Sequence, residues 1–250
     1  MKRYRVRLDG ASETTVRHRA ALASLPEHFE IVENGPDAVL ASGTAVEAGA
    51  AVVVAADPLA IAKPGTVALP AMQFAPRLFA EPFAKSLKPA SCLLYDSLVR
   101  VDRSGTDGLR AALLEQLAAL RLIAGETIRL TRFVRVGGGY LAEGALSGRS
   151  AMVALTGVAS TSSGPAFALR AAGLDRRVEI EIDEEATARP ARISTFDIDG
   201  ASQPPLIHQN SDRLTWVAAH AILSGEPAVF YGGDAWRNDL AEVSRVVAQS

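Results

Sequence analysis

Cysteine is almost absent from this chain. Cys92 is the single one, which excludes an internal disulfide, and its apolar strand-like setting, Ser91-Cys92-Leu93-Leu94, reads as a small buried hydrophobe. Histidine is scarce too: four residues scattered along the chain, with one cysteine, give no spacing suited to a structural zinc or other metal site. Charge of either sign is nearly balanced, with a formal net charge of −2, so electrostatics offers no case for a nucleic-acid or membrane-surface partner. Long apolar runs are missing. The longest, 48–56, is too short to span a bilayer and stops at Asp57-Pro58. The basic start, Met1-Lys2-Arg3-Tyr4-Arg5, leads into no signal-type apolar stretch, so a cytoplasmic setting is the default expectation. Internal repeats and low-complexity linkers are absent as well. What remains is a chain of 250 residues, 48% hydrophobic and 22% charged, which reads as globular and soluble and is long enough for one large domain or two small ones.

The first third has a β-α-β pattern with short connections. Arg5-Val6-Arg7-Leu8 alternates and ends at Asp9-Gly10, a strand reaching a turn. From Thr15, apolar Val16, Ala20, Leu22 and Ala23 suit one helix face, stopped at Pro26. Phe29 to Val32 reads as a second strand before the turn Asn34-Gly35-Pro36. The continuous apolar runs 37–41 and 51–55 suit strands buried on both faces of a parallel sheet. Between them, 45–49 leaves room only for a very short helix. A further strand is expected from Val67 towards Phe74, and the composition shift there sets a domain boundary: residues 1–75 and 76–250.

Beyond it the pattern changes. A strand is expected over 91–101. The clearest helix follows at 109–124, where Leu109, Leu113, Leu117, Leu120 and Ala124 repeat every three to four residues and Gly125 closes it. Strands with glycine-rich turns are expected over 127–136, 140–146, 151–158, 166–171, 178–182 and 192–198. Two helices, 212–223 and 234–248, close the chain. A mostly antiparallel sheet with helices over one face is an α+β arrangement.

Six short motifs, taken in order, resemble the Gfo/Idh/MocA family, named for glucose–fructose oxidoreductase and inositol dehydrogenase. Gly10-Ala11 after the first strand, with His18 and Ala20-Ala21-Leu22 in the helix, is similar to its opening. Asp37-Ala38-Val39, Glu47-Ala48-Gly49 and the stretch from Val52 to Asp57-Pro58-Leu59-Ala60 resemble its next three lines. Met72-Gln73-Phe74-Ala75-Pro76 resembles its R-F-x-P line, and Ala221-Ile222 through Gly225-Glu226-Pro227, then Asp234-Ala235 to Ser250, its closing helices. The resemblance implies an α/β architecture: a Rossmann-like N-terminal domain, here shortened, and an α+β C-terminal domain with a mostly antiparallel sheet. It also implies NAD(P)-dependent oxidoreduction of a sugar-like or cyclic polyol substrate.

Three departures bear on that activity. A dinucleotide loop needs G-x-G-x-x-G, for a tight turn, backbone approach to the pyrophosphate and helix packing. This chain has Gly10-Ala11-Ser12-Glu13-Thr14-Thr15, with side chains at the second and third glycine positions and a carboxylate beside the expected diphosphate. Gly10, Ser12 and Glu33 are the candidate cofactor contacts, Glu33 for the ribose; a solvated turn is the plain alternative for Glu33. The family's active-site lysine falls on Asp57, which as a carboxylate is an acceptor only. Lys63 lies near it in sequence, in an expected loop, and reads as a surface lysine. The family's proton-transfer histidine, aligned on Arg121 and Gly125, falls on Glu115. Beside Asp57, a buried Glu115 would form an acid/base carboxylate couple; otherwise it belongs to an exposed helix stripe or a surface ion pair. Only a few residues separate Val32 from Asp37, where the family has a further excursion under the adenosine.

Other polar groups have plainer readings. His208, Asn210 and Asp212 either hold a sugar-like ligand or include a helix cap, Ser211 or Asp212. Gly137-Gly138-Gly139 and Ser160-Thr161-Ser162-Ser163-Gly164 read as hairpin turns. Trp216, Phe230, Tyr231 and Trp236 read as core or interface anchors. The expectation is a non-catalytic relative (scaffold, dimer partner or regulatory subunit) with no cofactor. It would pair as a homodimer, or as a heterodimer with a full-length homologue, through its sheet face. The alternative is an NAD- or NADP-dependent oxidoreductase whose catalytic groups are Asp57, Glu115 and His208, or a binder of a polyol or sugar-like ligand.

Overall fold

The computed structural model describes residues 2–43, 45–46, 50–62, 67–80, 83, 92–102, 105–148, 150–161, 164–183 and 190–249. The chain divides into two compact units, Met1–Pro76 with Gln209–Arg237, and Arg77–His208 with Asn238–Ser250. The first segment of the first unit ends at Pro76. The expected block 76–250 is not continuous, however, because Gln209–Arg237 returns to the first unit. The reason is packing: Trp216 and Ala219 on the returning helix complete the core over the parallel sheet.

In the first unit, β1 (Tyr4–Leu8), β2 (Phe29–Ile31), β3 (Ala38–Ala41), β5 (Val52–Ala55) and β7 (Val67–Pro70) form a parallel sheet in the order β2-β1-β3-β5-β7. Every residue of β3 and of β5 is buried, as the unbroken apolar runs require. Helix α1 (Glu13–Ala23) links β1 to β2 and buries His18, Ala21 and Leu22. Where 45–49 left room for a very short helix, the described residues Ala45 and Val46 are not helical. Ala45–Val46 is instead strand β4, paired in parallel with β6 (Ile61–Ala62), so tertiary pairing overrides the weak local preference. Residues Glu47-Ala48-Gly49 and Lys63 lie outside the described residues.

The short helix α2 (Ala75–Leu78) spans the boundary between the units. The second unit holds an eight-stranded sheet of β8 (Leu94–Val101), β9 (Ile128–Val136), β10 (Gly139–Leu146), β11 (Met152–Ala159), β12 (Ala166–Ala172), β13 (Arg177–Asp183), β14 (Arg192–Asp197) and β15 (Gly200–Ser202). Its order is β15-β14-β13-β12-β8-β11-β10-β9, antiparallel throughout except for the parallel pair β8 and β11. Helix α3 (Thr106–Ala124) packs on one face and is buried nearly all round, ending at left-handed Gly125 with φ 69°. Its Gln116 donates to the carbonyls of Ser97 and Thr156, and Tyr140 donates to Gln116 Oε1 at 2.6 Å. Gly157 makes room for that ring: a Cβ there would stand 2.1 Å from Tyr140.

The closing helices are α4 (Ser211–Ser224), capped by the Asn210 side chain and by left-handed Gly225, and α5 (Gly233–Val247). The division between units falls inside α5, after Arg237. Within the second unit α5 closes an exposed sheet edge. Glu242 accepts from the Leu130 amide and Arg245 donates to the Leu130 carbonyl, both at 2.6 Å, supplying the partners a neighbouring strand would.

Candidate functional site

Open parallel sheets bind ligands in the crevice beyond the carboxyl ends of their strands. In the first unit those ends are the loops after β1, β2, β3, β5 and β7. Gly10, Ser12, Glu33 and Asp57 all lie on them, because the strands that precede them run parallel. The topology therefore brings four of the six candidate residues to one edge. Glu115 and His208 belong to the second unit, on separate elements.

The loop after β1 makes a tight turn at Gly10, with φ 81°; a Cβ there would stand 2.7 Å from Ser42 Oγ at the end of β3. From that turn the chain is laced by side chains. Ser12 caps α1, its Oγ accepting from the Thr15 amide at 3.2 Å and lying 3.1 Å from Thr15 Oγ1. Thr15 is buried and its hydroxyl donates back to the Asp9 carbonyl at 3.4 Å. Glu13 stands exposed in the first helical turn, where a negative charge already answers the helix dipole.

Glu33 is exposed at the end of β2, the sheet's outermost strand on that side. Asp57 is exposed after β5, and its Oδ1 accepts from the Leu59 amide at 2.9 Å, so the side chain closes its own turn. Pro58 is pinned in place because its carbonyl accepts from the Trp236 indole at 2.9 Å. Asp9 pairs with Arg7 at 2.7 Å, and that contact raises the Arg7 pKa. Among the described residues the charged side chains of these loops and of the first turn of α1 are Asp9, Glu13, Glu33, Asp37 and Asp57, with Asp37 at the foot of β3, where its Oδ2 accepts from the Arg5 amide. The edge is acidic.

Glu115 corrects the reading of an exposed stripe. It is 6% exposed within α3 and makes interactions of its own there. Its position and that of Asp57 fall in different units. The cluster His208, Asn210 and Asp212 also separates. His208 is exposed and ends one segment of the second unit, Asn210 rather than Ser211 or Asp212 is the cap of α4, and Asp212 turns inward. Phe230, read as an anchor, is 36% exposed, whereas Trp216, Tyr231 and Trp236 are buried. Of the hairpin readings, 137–139 forms the β9–β10 turn; Ser162 and Ser163 lie outside the described residues. Among the described residues no group of three metal-ligating side chains converges, and no helix is long and apolar enough to cross a membrane.

A second polar group, not anticipated from the sequence, lies between α1 and α4. Fully buried His18 accepts at Nδ1 from the Trp216 indole at 3.0 Å, which leaves the proton on Nε2, and Nε2 lies 3.4 Å from Asp212 Oδ1. Arg17 approaches the other Asp212 oxygen at 3.3 Å. Burial pushes the Asp212 carboxyl up, and Arg17 opposes the shift. His18 was visible in the sequence as part of the opening motif, but no local spacing signals partners 198 residues away.

Comparison with solved structures identifies the fold. The UDP-N-acetylglucosamine 3-dehydrogenase GnnA of Acidithiobacillus ferrooxidans matches over 98% of this chain and 97% of its own, with TM-score 0.65 and 11% identity. An oxidoreductase from Sinorhizobium meliloti matches over 100% and 98%, with TM-score 0.66 and 12% identity. KijD10, a 3-ketoreductase of Actinomadura kijaniata solved with NADP and TDP-benzene, matches over 99% and 97%, with TM-score 0.61 and 14% identity. These are Gfo/Idh/MocA-type oxidoreductases, and their fold is the fold of this chain. No family model and no curated protein matches the sequence.

Proposed function

We propose that this chain is a Gfo/Idh/MocA-fold protein that does not carry out hydride transfer and serves as a scaffold, dimer partner or regulatory subunit. One observation carries the reading: the carboxyl edge of the parallel sheet is acidic and filled by its own side chains. A nicotinamide dinucleotide would bring a diphosphate against Ser12 and Thr15, with Glu13 beside it and Glu33 and Asp57 on neighbouring loops. Like charges at that edge oppose an anion, and Ser12 already satisfies an amide that would bind it. The residues present do not fit the cofactor. The single cysteine, Cys92, is buried and has no second cysteine to pair with, which suits a cytoplasmic setting.

For assembly, the sheet face away from α3 supports pairing with a second copy or a full-length homologue. Leu94, Leu98, Leu141, Met152 and Val158 are exposed on it, Met152 at 69%, with Met152 opposite Leu94 and Leu141 opposite Thr156 in register. Eight strands about 4.8 Å apart and about seven residues long present roughly 800 Å², the share one partner contributes to a stable interface.

Calorimetric titration with NAD(H) and NADP(H) tests the first part, with a Kd weaker than about 1 mM expected. Micromolar binding would overturn it. Assays with sugars, inositols and their keto forms should be silent for wild type, Asp57→Ala, Glu115→Ala and Asp57→Lys alike. Light scattering should show a dimer; a stable monomer at micromolar concentration with no homologue bound would count against the assembly.

The whole-chain likeness to GnnA and KijD10 favours one rival, an NAD(P)-dependent oxidoreductase of a sugar-like or cyclic polyol substrate. Turnover in wild type that vanishes in Asp57→Ala or Glu115→Ala would establish it.

A further inference from the structure

Three of the four histidines, His18, His28 and His220, gather in one seam of the first unit. The rings of His28 and His220 face each other with centroids 4.2 Å apart, tilted by 51°. Tyr4 meets His220 edge-on at 5.5 Å, and Phe29 meets His220 at 5.9 Å and Trp216 at 5.6 Å. The His28 backbone is fixed: its carbonyl accepts from the Tyr4 amide at 2.8 Å and its amide donates to the Leu25 carbonyl at 3.0 Å. On the other side, the Tyr4 hydroxyl donates to the Leu223 carbonyl in the last turn of α4 at 2.9 Å. The two imidazoles therefore stand where the end of α4 closes on β1 and the start of β2. His28 Nδ1 is buried with no hydrogen-bond partner, so the pair is held by ring packing rather than by a proton shared with a fixed acceptor.

We propose that His28 and His220 form a proton-operated latch, which holds the C-terminal half of α4 on the β1–β2 edge while the rings are neutral and loosens it when both are charged. Two like charges on packed rings repel, and the aromatic walls of Tyr4 and Phe29 take water from part of each half-buried ring. The charged groups around the pair are few. Glu27 lies 3.6 Å from His28 Nε2, and Glu226 follows α4. Lys2 sits over the Tyr4 ring at 5.1 Å, while Arg3 and Arg213 are engaged with the Pro26 carbonyl and the Ser24 hydroxyl. Burial first, then His28, lowers the His220 pKa from 6.5, with Glu226 opposing. The folded state thus binds this proton less readily than the unfolded chain. Stability from the latch is complete above about pH 6.5 and is lost as pH falls through the lowered folded value. At the other end of α4, Asp212 shifts in the opposite sense for a carboxylate, so the comparison must be between wild type and variants rather than between pH values alone.

The test uses the full chain. Melting temperatures of wild type, His220→Phe and His28→Phe are compared at about pH 7.5 and about pH 5.5. Wild type should lose roughly 2–4 °C on acidification, and each variant less than half of that. NMR titration of wild type should place His220 below its ordinary range, and His28→Phe should move it up. Hydrogen exchange should show the faster opening at low pH confined to the last two turns of α4. Equal losses in wild type and variants would overturn the latch. So would a His220 titration that His28→Phe leaves unchanged, and this second measurement stands even if His220→Phe fails to fold.

Discussion

Asp212 opens α4 in the first unit and Asp239 lies inside α5 in the second; both are buried, at 5% and 0% exposure. Asp239 accepts from two nitrogens of one guanidinium, with Arg121 Nε 3.0 Å from Oδ2 and Arg121 Nη2 2.5 Å from Oδ1. Asp212 has longer contacts, 3.3 Å to a half-exposed Arg17 and 3.4 Å to His18. The difference extends to the neighbourhoods. Around α3 the buried polar groups Gln116, Tyr140 and Ser97 are uncharged and satisfy one another and the strand carbonyls. Around α4 the buried polar groups are the hydroxyls of Ser211 and Thr215, the His18 imidazole and the Asp212 carboxylate. Both units bury carboxylates, Glu115 and Asp239 in the second and Asp212 in the first, but the fully buried imidazole, His18, belongs to the first. The mutual hydrogen bonds of Gln116, Tyr140 and Ser97 make that network rigid, whereas the imidazoles around α4 leave a proton-dependent seam.

Breaking the bidentate pair should have the largest effect. Asp239→Ala strands Arg121 and should cost about 3 kcal/mol, the low end for a buried pair, since Arg121 keeps 20% exposure. Guanidinium denaturation measures it, and a loss well below about 1 kcal/mol would erase the contrast with Asp212. Gly157→Ala comes next. Its new methyl would meet the Tyr140 ring at 2.1 Å, and overpacking of that kind costs about 1–3 kcal/mol. Tyr140→Phe leaves Gln116 Oε1 without its donor and should cost about 1–2 kcal/mol. Burial holds the Tyr140 phenol well above its usual range, so that cost should be the same from about pH 6 to about pH 9; a cost that varies there would show the network to be ionised.

Two conservative changes should sharpen the comparison through the sign of a slope. Burial raises the Asp212 carboxyl above 3.8, so the fold binds that proton more tightly than the unfolded chain. Stability therefore falls as pH rises from the unfolded value through the folded one, and Asp212→Asn should remove that fall. Glu242 is lowered from 4.5, first by its hydrogen bond from Arg245, with burial opposing and the Leu130 amide and Arg129 assisting. Its stabilisation is present above the unfolded value and lost as pH falls through the folded one, so Glu242→Gln should flatten the acid limb. Urea titrations between about pH 3 and about pH 6 read both slopes, and parallel curves for the two variants would show that neither carboxylate acts as described. The smallest effect belongs to the candidate site: Ser12→Ala removes the α1 cap and should cost about 1 kcal/mol in thermal melts, without conferring affinity for a dinucleotide.

Much of this architecture was legible beforehand, for local reasons. The unbroken apolar runs of β3 and β5 announced a parallel sheet, and the leucine repeat with Gly125 announced α3. The strand expected over 178–182 forms as β13, which buries Val178, Ile180 and Ile182 on one face. At the candidate site, Gly10, Ser12, Glu33 and Asp57 were singled out through the family resemblance, and they share one edge because each follows a strand of the parallel sheet. Ala45–Val46 was missed because a two-residue ladder with Ile61–Ala62 depends on pairing rather than on propensity. Glu115 was misjudged because helical periodicity locates one apolar face and cannot reveal that α3 is covered on the others.

The sequence by itself determined the order of the elements, the tight glycine turn after β1 and the acidic character of the loops beyond the parallel strands, because these depend on neighbours in the chain. Only the tertiary structure decided that Gln209–Arg237 returns to the first unit and that Asp212 meets His18. It alone decided as well that His28 faces His220 and that Glu242 and Arg245 close the edge at Leu130. Those contacts join residues that are remote along the chain. Their existence follows from which apolar surfaces must be covered together, a condition that no window of sequence contains.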